Sequence, residues 1–502
     1  MKNIFLLCLM SGLSAAAFAQ PNACAKLATL KLTNATITSA QLVEAGAFST
    51  PGATARRNAP DFKGLPAFCR VAATLTPSSD SDIKIEVWLP VTNWNNKLMA
   101  VGNGGWSGAI SYPALARELA RGYAATSTDT GHTGGSASFA LGHPEKLVDF
   151  AWRAVHEMTV QAKAIIATHY GRAPKFSYWN GCSSGGRQGL KEAQAFPNDF
   201  DGIIAGAPVN NFIRQRAGII SVAQAASSGD AYIPPTKYKM IHAAVMQTCD
   251  KLDGVMDGVL ENPTACKFDP QSLQCRGEDA ADCLTAAQVA SARRIYAATK
   301  HPKTGEAIFP GLMPGTELDW DTPASKEGAR ATATDYFKYV LFKNPQWDWR
   351  TFDLARDTAA AEQLDRGLLT ALDANLKPFF ARGGKLLLYH GWADPNVAPE
   401  NTINYYENVL RVTGKAKDSM RLFLVPGMGH CGGGDGPNVF DAVAALEQWV
   451  EGGQPPQRIV ASRVKNGVAD RTRPLCPYPQ SAKYKGSGST DEAANFVCQS
   501  TR

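Results

Sequence analysis

The chain has 502 residues, 44% of them hydrophobic and 19% charged, with a net charge of +6 at neutral pH. That length supports a large core, as two domains or as one domain carrying a substantial insertion. The low charged fraction excludes long coiled-coil or disordered stretches, and a balance this mild, with no Lys/Arg-rich run or basic helix, argues against a nucleic-acid partner.

The first nineteen residues, MKNIFLLCLMSGLSAAAFA, read as a signal peptide. Lys2 is the charged start, Ile4 to Leu13 the apolar run, and Ala17-Phe18-Ala19 the small-x-small pattern before Gln20. The alternative, a transmembrane anchor, asks for a longer apolar run. Later segments lack one, so the mature chain is expected to be soluble, without a membrane partner, and secreted or periplasmic. Loss of Lys2 brings the charge to about +5.

Residues 83–90, IKIEVWLP, alternate like a strand and stop at a proline. KLMAV (97–101) is a short apolar run ending in the glycine-rich GNGGWSG, and GYAATST (122–128) is another strand-like run. Residues 148–171 carry Phe150, Ala151, Val155, Met158, Ala162, Ile165 and Ile166 at helical spacing and end at Gly171. KFSYWN leads into GCSSGG, GLKEAQAFP continues as helix, and FDGIIAGAP is a further strand. This alternation predicts a parallel sheet with helices on both faces. From 210 to about 375 the pattern breaks into short helices, four cysteines and many Asp-Gly and Pro punctuations, which reads as an inserted, largely helical lid. It resumes with the strand KLLLYHG, the strand RLFLVPGMGH and the terminal helix FDAVAALEQWVEGG. The organisation is therefore a signal peptide (1–19), an α/β catalytic domain (20–209 and 376–502) and a lid (210–375), with the last 45 or so residues expected as an irregular, disulfide-pinned tail.

Of eleven cysteines, Cys8 lies in the signal, and an even ten in an exported chain point to disulfides. Closeness in the chain favours Cys249 with Cys266, Cys275 with Cys283, and Cys476 with Cys498. Cys24, Cys69, Cys182 and Cys431 remain, and buried free thiols stay open as an alternative for some. No CxxC pair exists to suggest zinc.

Gly181-Cys182-Ser183-Ser184-Gly185 fits G-x-S-x-G, following a strand and opening a helix. That arrangement holds a serine on a sharp, exposed elbow of an α/β-hydrolase fold, where small residues let strand and helix backbones approach. A serine needs a base and an orienting acid, which in this fold follow in the order Asp/Glu, then His. His301 lies in a polar lid loop and His390 inside the strand KLLLYHG, where a packed core histidine is expected. His430, in a glycine-rich loop straight after an apolar strand, is the favoured base. Asp394, in GWADPN just after a strand, is the favoured acid; its alternative is a turn-forming Asp before Pro395. The oxyanion hole would take the backbone N–H of Ser184 and that of Gly105 in GNGGWSG, with Gly104 next. If Ser183 and His430 meet, so must their neighbours Cys182 and Cys431, whose disulfide would tie the elbow to the histidine loop. Cys24 and Cys69 are then left to pair.

The set Cys182-Ser183, Asp394 and His430-Cys431, together with STDTGH, GIIAGAP, YHGWAD, LFLVPGMGHC and RPLCPYP, resembles the tannase and feruloyl esterase family, which includes the mono-hydroxyethyl terephthalate hydrolases. The resemblance runs from about residue 24 to 500. It implies an α/β-hydrolase core with an inserted lid, the five disulfides above, and hydrolysis of aromatic acid esters through an acyl-enzyme on Ser183. Feruloyl esters rank first and galloyl esters (tannase) second. Terephthalate monoesters rank third, because the lid is shorter here than in that branch. A non-catalytic secreted binding protein on a hydrolase scaffold is the reading from another class. Phe337, Tyr339, Phe342, Trp347 and Trp349 could sandwich a substrate ring, or form the lid's own core.

CDKLDGVMDGVLEN (249–262) sets Asp250, Asp253 and Asp257 on a tight loop, hard oxygen ligands that suit calcium, although the spacing is not that of an EF-hand. An acidic solvated turn is the alternative. By the resemblance, the carbonyls of Val255 and Val259 would complete a structural calcium site. No organic cofactor is expected.

Overall fold

The computed structural model describes residues 21–51, 61–414 and 416–500. The expected signal peptide lies outside the described residues. The strands are β1 (Ala35–Val43), β2 (Phe68–Leu75), β3 (Ile83–Pro90), β4 (Lys97–Val101), β5 (Ala124–Thr128), β6 (Phe176–Cys182), β7 (Gly202–Gly206), β8 (Thr299–Lys300), β9 (Ala307–Phe309), β10 (Lys385–Gly391), β11 (Met420–Val425), β12 (Ile459–Lys465), β13 (Val468–Leu475), β14 (Gln480–Tyr484) and β15 (Phe496–Ser500). Nine form one sheet in the order β1-β2-β3-β5-β4-β6-β7-β10-β11.

From β5 onward the neighbours run parallel. β1, β2 and β3 are antiparallel to their neighbours, so the sheet is mixed rather than wholly parallel. The physical reason is local: β2 and β3 are joined by a connection far too short for a crossover helix, which leaves only the hairpin solution. The polar alternation of β1 and the moderate apolarity of β2 also hid both strands from the pattern search.

Helices cover both faces, as the alternation predicted. On one face the helix Ala154–Tyr170 buries Val155, Met158, Ala162, Ile165 and Ile166 against Val71, Ile85, Leu98 and Trp179, and Gly171 ends it in the left-handed region at φ 71°. On the other, Ala442–Gly452 buries Val443, Leu446 and Trp449 against Met99, Tyr178, Ile204 and Leu387. Each central strand is buried on both faces, hence the near-continuous apolar runs. This is the α/β-hydrolase arrangement.

β7 and β10 are adjacent in the sheet, and the long chain between them leaves it. That segment holds the helices Phe212–Ala226, Tyr238–Cys249, Ala286–Tyr296 and Leu354–Asp365 and the small ribbon β8/β9. It builds an apolar cluster of its own around Ile241, Ile295 and Trp320, whereas Phe337, Tyr339, Phe342, Trp347 and Trp349 belong to a cluster that also takes in Trp106, Phe150, Ala151 and Val397 of the α/β region. The C-terminal region is not irregular: β12/β13 and β14/β15 are two antiparallel hairpins, the second joined to the end of the first by Cys476–Cys498. Asn466-Gly467 between β12 and β13 is the two-residue turn signal that marks the first of them. Among the described residues no helix is long and apolar enough to cross a membrane.

Candidate active site

β6 ends at Cys182 and a helix begins at Ser184, leaving Ser183 alone on the turn at φ 63°, ψ −121°. A non-glycine residue there carries roughly 1–3 kcal/mol of strain and persists only when its surroundings hold it. They do: Ser183 N–H donates to the Gly206 carbonyl at 2.9 Å, and the Ser183 carbonyl accepts from Val209 N–H at 3.2 Å and Arg187 N–H at 3.0 Å. The need for small residues is steric, since a Cβ on Gly181 would sit 2.5 Å from the Gly185 carbonyl oxygen.

β10 and β11 run parallel beside β7, and the loops after them carry Asp394 and His430 to the same edge of the sheet. Ser183 Oγ is 2.8 Å from His430 Nε2, and His430 Nδ1 is 2.7 Å from Asp394 Oδ2. Cys182 and Cys431 are bonded, linking positions 249 apart in sequence and clamping the elbow to the histidine loop. The other four pairs, Cys24–Cys69, Cys249–Cys266, Cys275–Cys283 and Cys476–Cys498, are those expected.

Asp394 is fully buried. Burial pushes its carboxyl up, but the charge of His430 and hydrogen bonds from His390 and His430 outweigh it and hold the group well below the usual carboxylate range. Its Oδ1 also accepts from the N–H groups of Asn396 at 2.8 Å and Val397 at 3.0 Å. His390 is buried, as expected of that strand position, yet it is more than packing: its Nε2 lies 3.1 Å from Asp394 Oδ2. Sequence reading missed that contact. The available signal was the four-residue spacing of His390 and Asp394 across a strand end.

Gly105 and Ser184 flank the serine and line the same cavity as Ser183 and His430, of about 200 Å³. Ser184 Oγ donates to the Gly105 carbonyl at 2.9 Å, which joins the two loops. The glycine-rich loop is tied to its surroundings by hydrogen bonds. Asn103 Nδ2 donates to the Thr128 carbonyl at 2.9 Å and to that of Ala109 at 3.1 Å, and His132 Nε2 lies 2.9 Å from the Trp106 carbonyl. The cavity is also lined by Arg216 and Arg330, which sequence reading did not single out, and by Ile219 and Val397; no Asp or Glu lines it. None of Phe337, Tyr339, Phe342, Trp347 and Trp349 does either; they pack in the apolar cluster shared with Trp106 and Phe150. Roomier cavities of about 270 and 490 Å³ lie elsewhere, and Ser183 lines neither.

A nucleophile, a base and a buried acid in hydrogen-bonded series, at the mouth of a cavity and beside two candidate oxyanion donors, can perform acyl transfer. Comparison with known proteins agrees with that chemistry. The profile described as tannase and feruloyl esterase matches residues 69–499. The chain belongs to the tannase and feruloyl esterase family. It is 39% identical to an uncharacterised esterase of Xanthomonas campestris over 95% of this chain and 91% of that one. It is 35% identical to a probable feruloyl esterase B-2 of Aspergillus terreus over 85% of each. The crystal structure of feruloyl esterase B from Aspergillus oryzae superposes with a TM-score of 0.90 at 31% identity, covering 95% of this chain and all of that one. Tannin acyl hydrolase from Aspergillus niger shares the fold, with a TM-score of 0.80 at 23% identity over 97% and 96% of the two chains. The protein is a carboxylic ester hydrolase of this family.

No residue of the acidic loop lines the serine's cavity. Asp250 Oδ2 accepts from Gly258 N–H at 3.0 Å while its Oδ1 is buried without a partner. Burial, opposed by N–H bonds from Val255 and Glu261 but reinforced by the charges of Asp257 and Asp250, pushes the Asp253 carboxyl up to about 6. An orphaned carboxylate oxygen amid like charges fits a hard cation. Asp257 is also engaged by Arg471 and Arg473, so an ion would share that carboxylate with two guanidiniums. Among the described residues, the His/Asp/Glu set whose ligand atoms all lie within 4.8 Å of one another is elsewhere: His156, Glu192 and Asp199. There burial, with the charge of Asp199, pushes the Glu192 carboxyl well up, and Asp199 faces His156 Nδ1 at 2.7 Å.

Proposed function

We propose that the protein is an exported serine esterase acting on esters of single-ring aromatic acids, feruloyl esters first. The observation that carries the mechanism is the 2.8 Å and 2.7 Å series from Ser183 Oγ through His430 to Asp394, clamped by Cys182–Cys431. Ser183 Oγ attacks the ester carbonyl as His430 Nε2 takes its proton. Asp394 holds the imidazole in the tautomer that can accept that proton and stabilises the imidazolium. The N–H groups of Ser184 and Gly105 receive the developing oxyanion. His430 then protonates the leaving alcohol. Water, activated by the same imidazole, releases the acid from the acyl-enzyme.

Size supports a single ring. An apolar cavity of ~150 Å³ takes up benzene, and the cavity beside Ser183 measures about 200 Å³. Relatives named feruloyl esterase over most of the chain support the ranking. One specific observation favours a second reading, a monoester of an aromatic diacid such as terephthalate. Arg216 and Arg330 line a cavity without acids, and Arg216 is buried with no ion pair among the described residues. A galloyl ester remains the tannase-type alternative.

The test is hydrolysis of methyl ferulate, methyl gallate, a terephthalate monoester and a short p-nitrophenyl ester by wild type and Ser183→Ala. Ferulate activity that vanishes in the variant is expected. A terephthalate preference that collapses in Arg330→Ala would replace the first substrate by the second. Activity surviving in Ser183→Ala would overturn the serine mechanism, and folded protein inert on every ester and unlabelled by a fluorophosphonate would favour a binding protein. Export rests on residues 1–19 and on five disulfides, which persist in oxidising compartments. The loop of Asp250, Asp253 and Asp257, with the carbonyls of Val255 and Val259, would hold a structural calcium inside the Cys249–Cys266 ring.

A further inference from the structure

We propose that His390 is a positioning residue of the esterase, fixing the Asp394 carboxylate in the orientation from which it serves His430. The proposal rests on the serine mechanism above and adds a fourth side chain to it. His390 stands one residue before the end of β10, wholly buried. Its Nε2 faces two oxygens that only accept, Asp394 Oδ2 at 3.1 Å and the Val397 carbonyl at 2.9 Å, so this nitrogen carries a proton. Its Nδ1 lies 2.8 Å from the hydroxyl of Thr402, also buried, on the helix Pro399–Thr413. The ring is thus held at both ends. The ionisable groups it meets are Asp394 and, across that carboxylate, His430.

The consequence lies in how the carboxylate is filled. Oδ1 accepts two backbone N–H groups, from Asn396 and Val397, and Oδ2 faces both His390 and His430. A carboxylate has about four lone-pair sites, and here all are used. Three of the four donors belong to β10 and the turn after it, so the carboxylate cannot rotate about its terminal bond without breaking contacts on both oxygens. His390 also staples that turn from the other side through the Val397 carbonyl. The second effect is electronic. A proton shared onto Oδ2 by His390 draws charge from the oxygen that faces His430. Removing it leaves Oδ2 more basic and the His430 imidazolium better stabilised, so the base becomes easier to protonate.

The experiment compares two substitutions at His390 with Thr402→Val and Ser183→Ala, using full-length protein and the ester the wild type hydrolyses best. In His390→Gln the amide nitrogen reaches the place of Nε2 and can still donate to Asp394. In His390→Asn it reaches only the place of Nδ1. We expect His390→Asn to lower kcat about 10- to 100-fold with KM changed less than about threefold, as misplacement of a catalytic group by up to about 1 Å does. The acid limb of its kcat/KM profile should move about half a pH unit or more to higher pH. His390→Gln should recover most of kcat and the wild-type limb, and Thr402→Val should show a smaller change in the same direction. Wild-type kcat and pH profile in His390→Asn would overturn the proposal. So would equal losses in the Asn and Gln variants with an unmoved acid limb, which would mark a purely structural role. Should His390→Asn fail to fold, Thr402→Val decides alone: a wild-type limb and kcat in it would count against the proposal. Failure of the serine mechanism reads differently, as activity surviving in Ser183→Ala.

Discussion

Two groups of buried carboxylates in this molecule behave in opposite ways. Asp394 is fully buried, yet the charge of His430 and the hydrogen bonds from His390 and His430 outweigh that burial and hold its carboxyl well below the ordinary range. Asp253, less buried, is pushed up to about 6, because burial and the neighbouring Asp257 and Asp250 outweigh the two N–H groups it accepts. Burial alone therefore does not decide the state of an acid; the balance of donors and like charges does. The first group is complete within the chain. The second, on the reading proposed above, would be completed by a cation.

The largest expected effect breaks the first group. Asp394→Asn presents an amide where His430 needs an acceptor and favours the wrong imidazole tautomer. The expected loss in kcat is about 10³- to 10⁴-fold, with a lower Tm because the carboxylate's contribution to stability goes with its charge; a loss under tenfold in kcat would show that Asp394 is not the orienting acid. Next is the clamp between the two loops. Replacing Cys182 and Cys431 together by alanine should lower stability by about 2–4 kcal/mol, measured by denaturant unfolding. It should also lower kcat by roughly tenfold as Ser183 and His430 drift apart. Unchanged kcat would mean that the sheet alone sets their separation.

The smallest effect sharpens the second group. A carboxyl whose folded pKa is raised favours the fold while it is protonated. Without a cation, the Asp253 term therefore weakens stability as pH rises from its unfolded value near 4 to about 6, and weakens it no further above that. A chelator should accordingly lower Tm by several degrees at pH 7.5 and by less at pH 5. Asp253→Asn should remove that pH dependence from the chelated protein and abolish rescue by added calcium. A chelator without effect at either pH would return the loop to an acidic turn. Asp394 has the reverse sign: its contribution is present above the unfolded carboxylate pKa and is lost only in strong acid.

Much of the site was legible because its signals are local. Strand, glycine, cysteine, serine and glycine in succession specify an elbow, and the steric demand at Gly181 acts within five residues. Adjacent Cys-Ser and His-Cys pairs allowed a distant contact to be inferred from neighbours alone. The hairpin at Asn466-Gly467 was equally local and was passed over. β1 and β2 were not legible in the same way, since their pairing depends on partners and on a sheet edge that neither segment encodes alone.

By itself, then, the sequence determined the elbow and the interruption between β7 and β10, which follow from spacing, residue type and short-range sterics, and it favoured, without fixing, the serine, acid and histidine and the disulfide partners that the structure brings together. Tertiary structure alone decided that His390 meets the same carboxylate as His430, that Arg216 and Arg330 line the cavity beside the serine, and that the aromatics between 337 and 349 pack into a cluster shared with Trp106 and Phe150. Those outcomes depend on distances of a few ångströms between residues far apart in the chain, set by the parallel order β6-β7-β10-β11 and by helices packed across it.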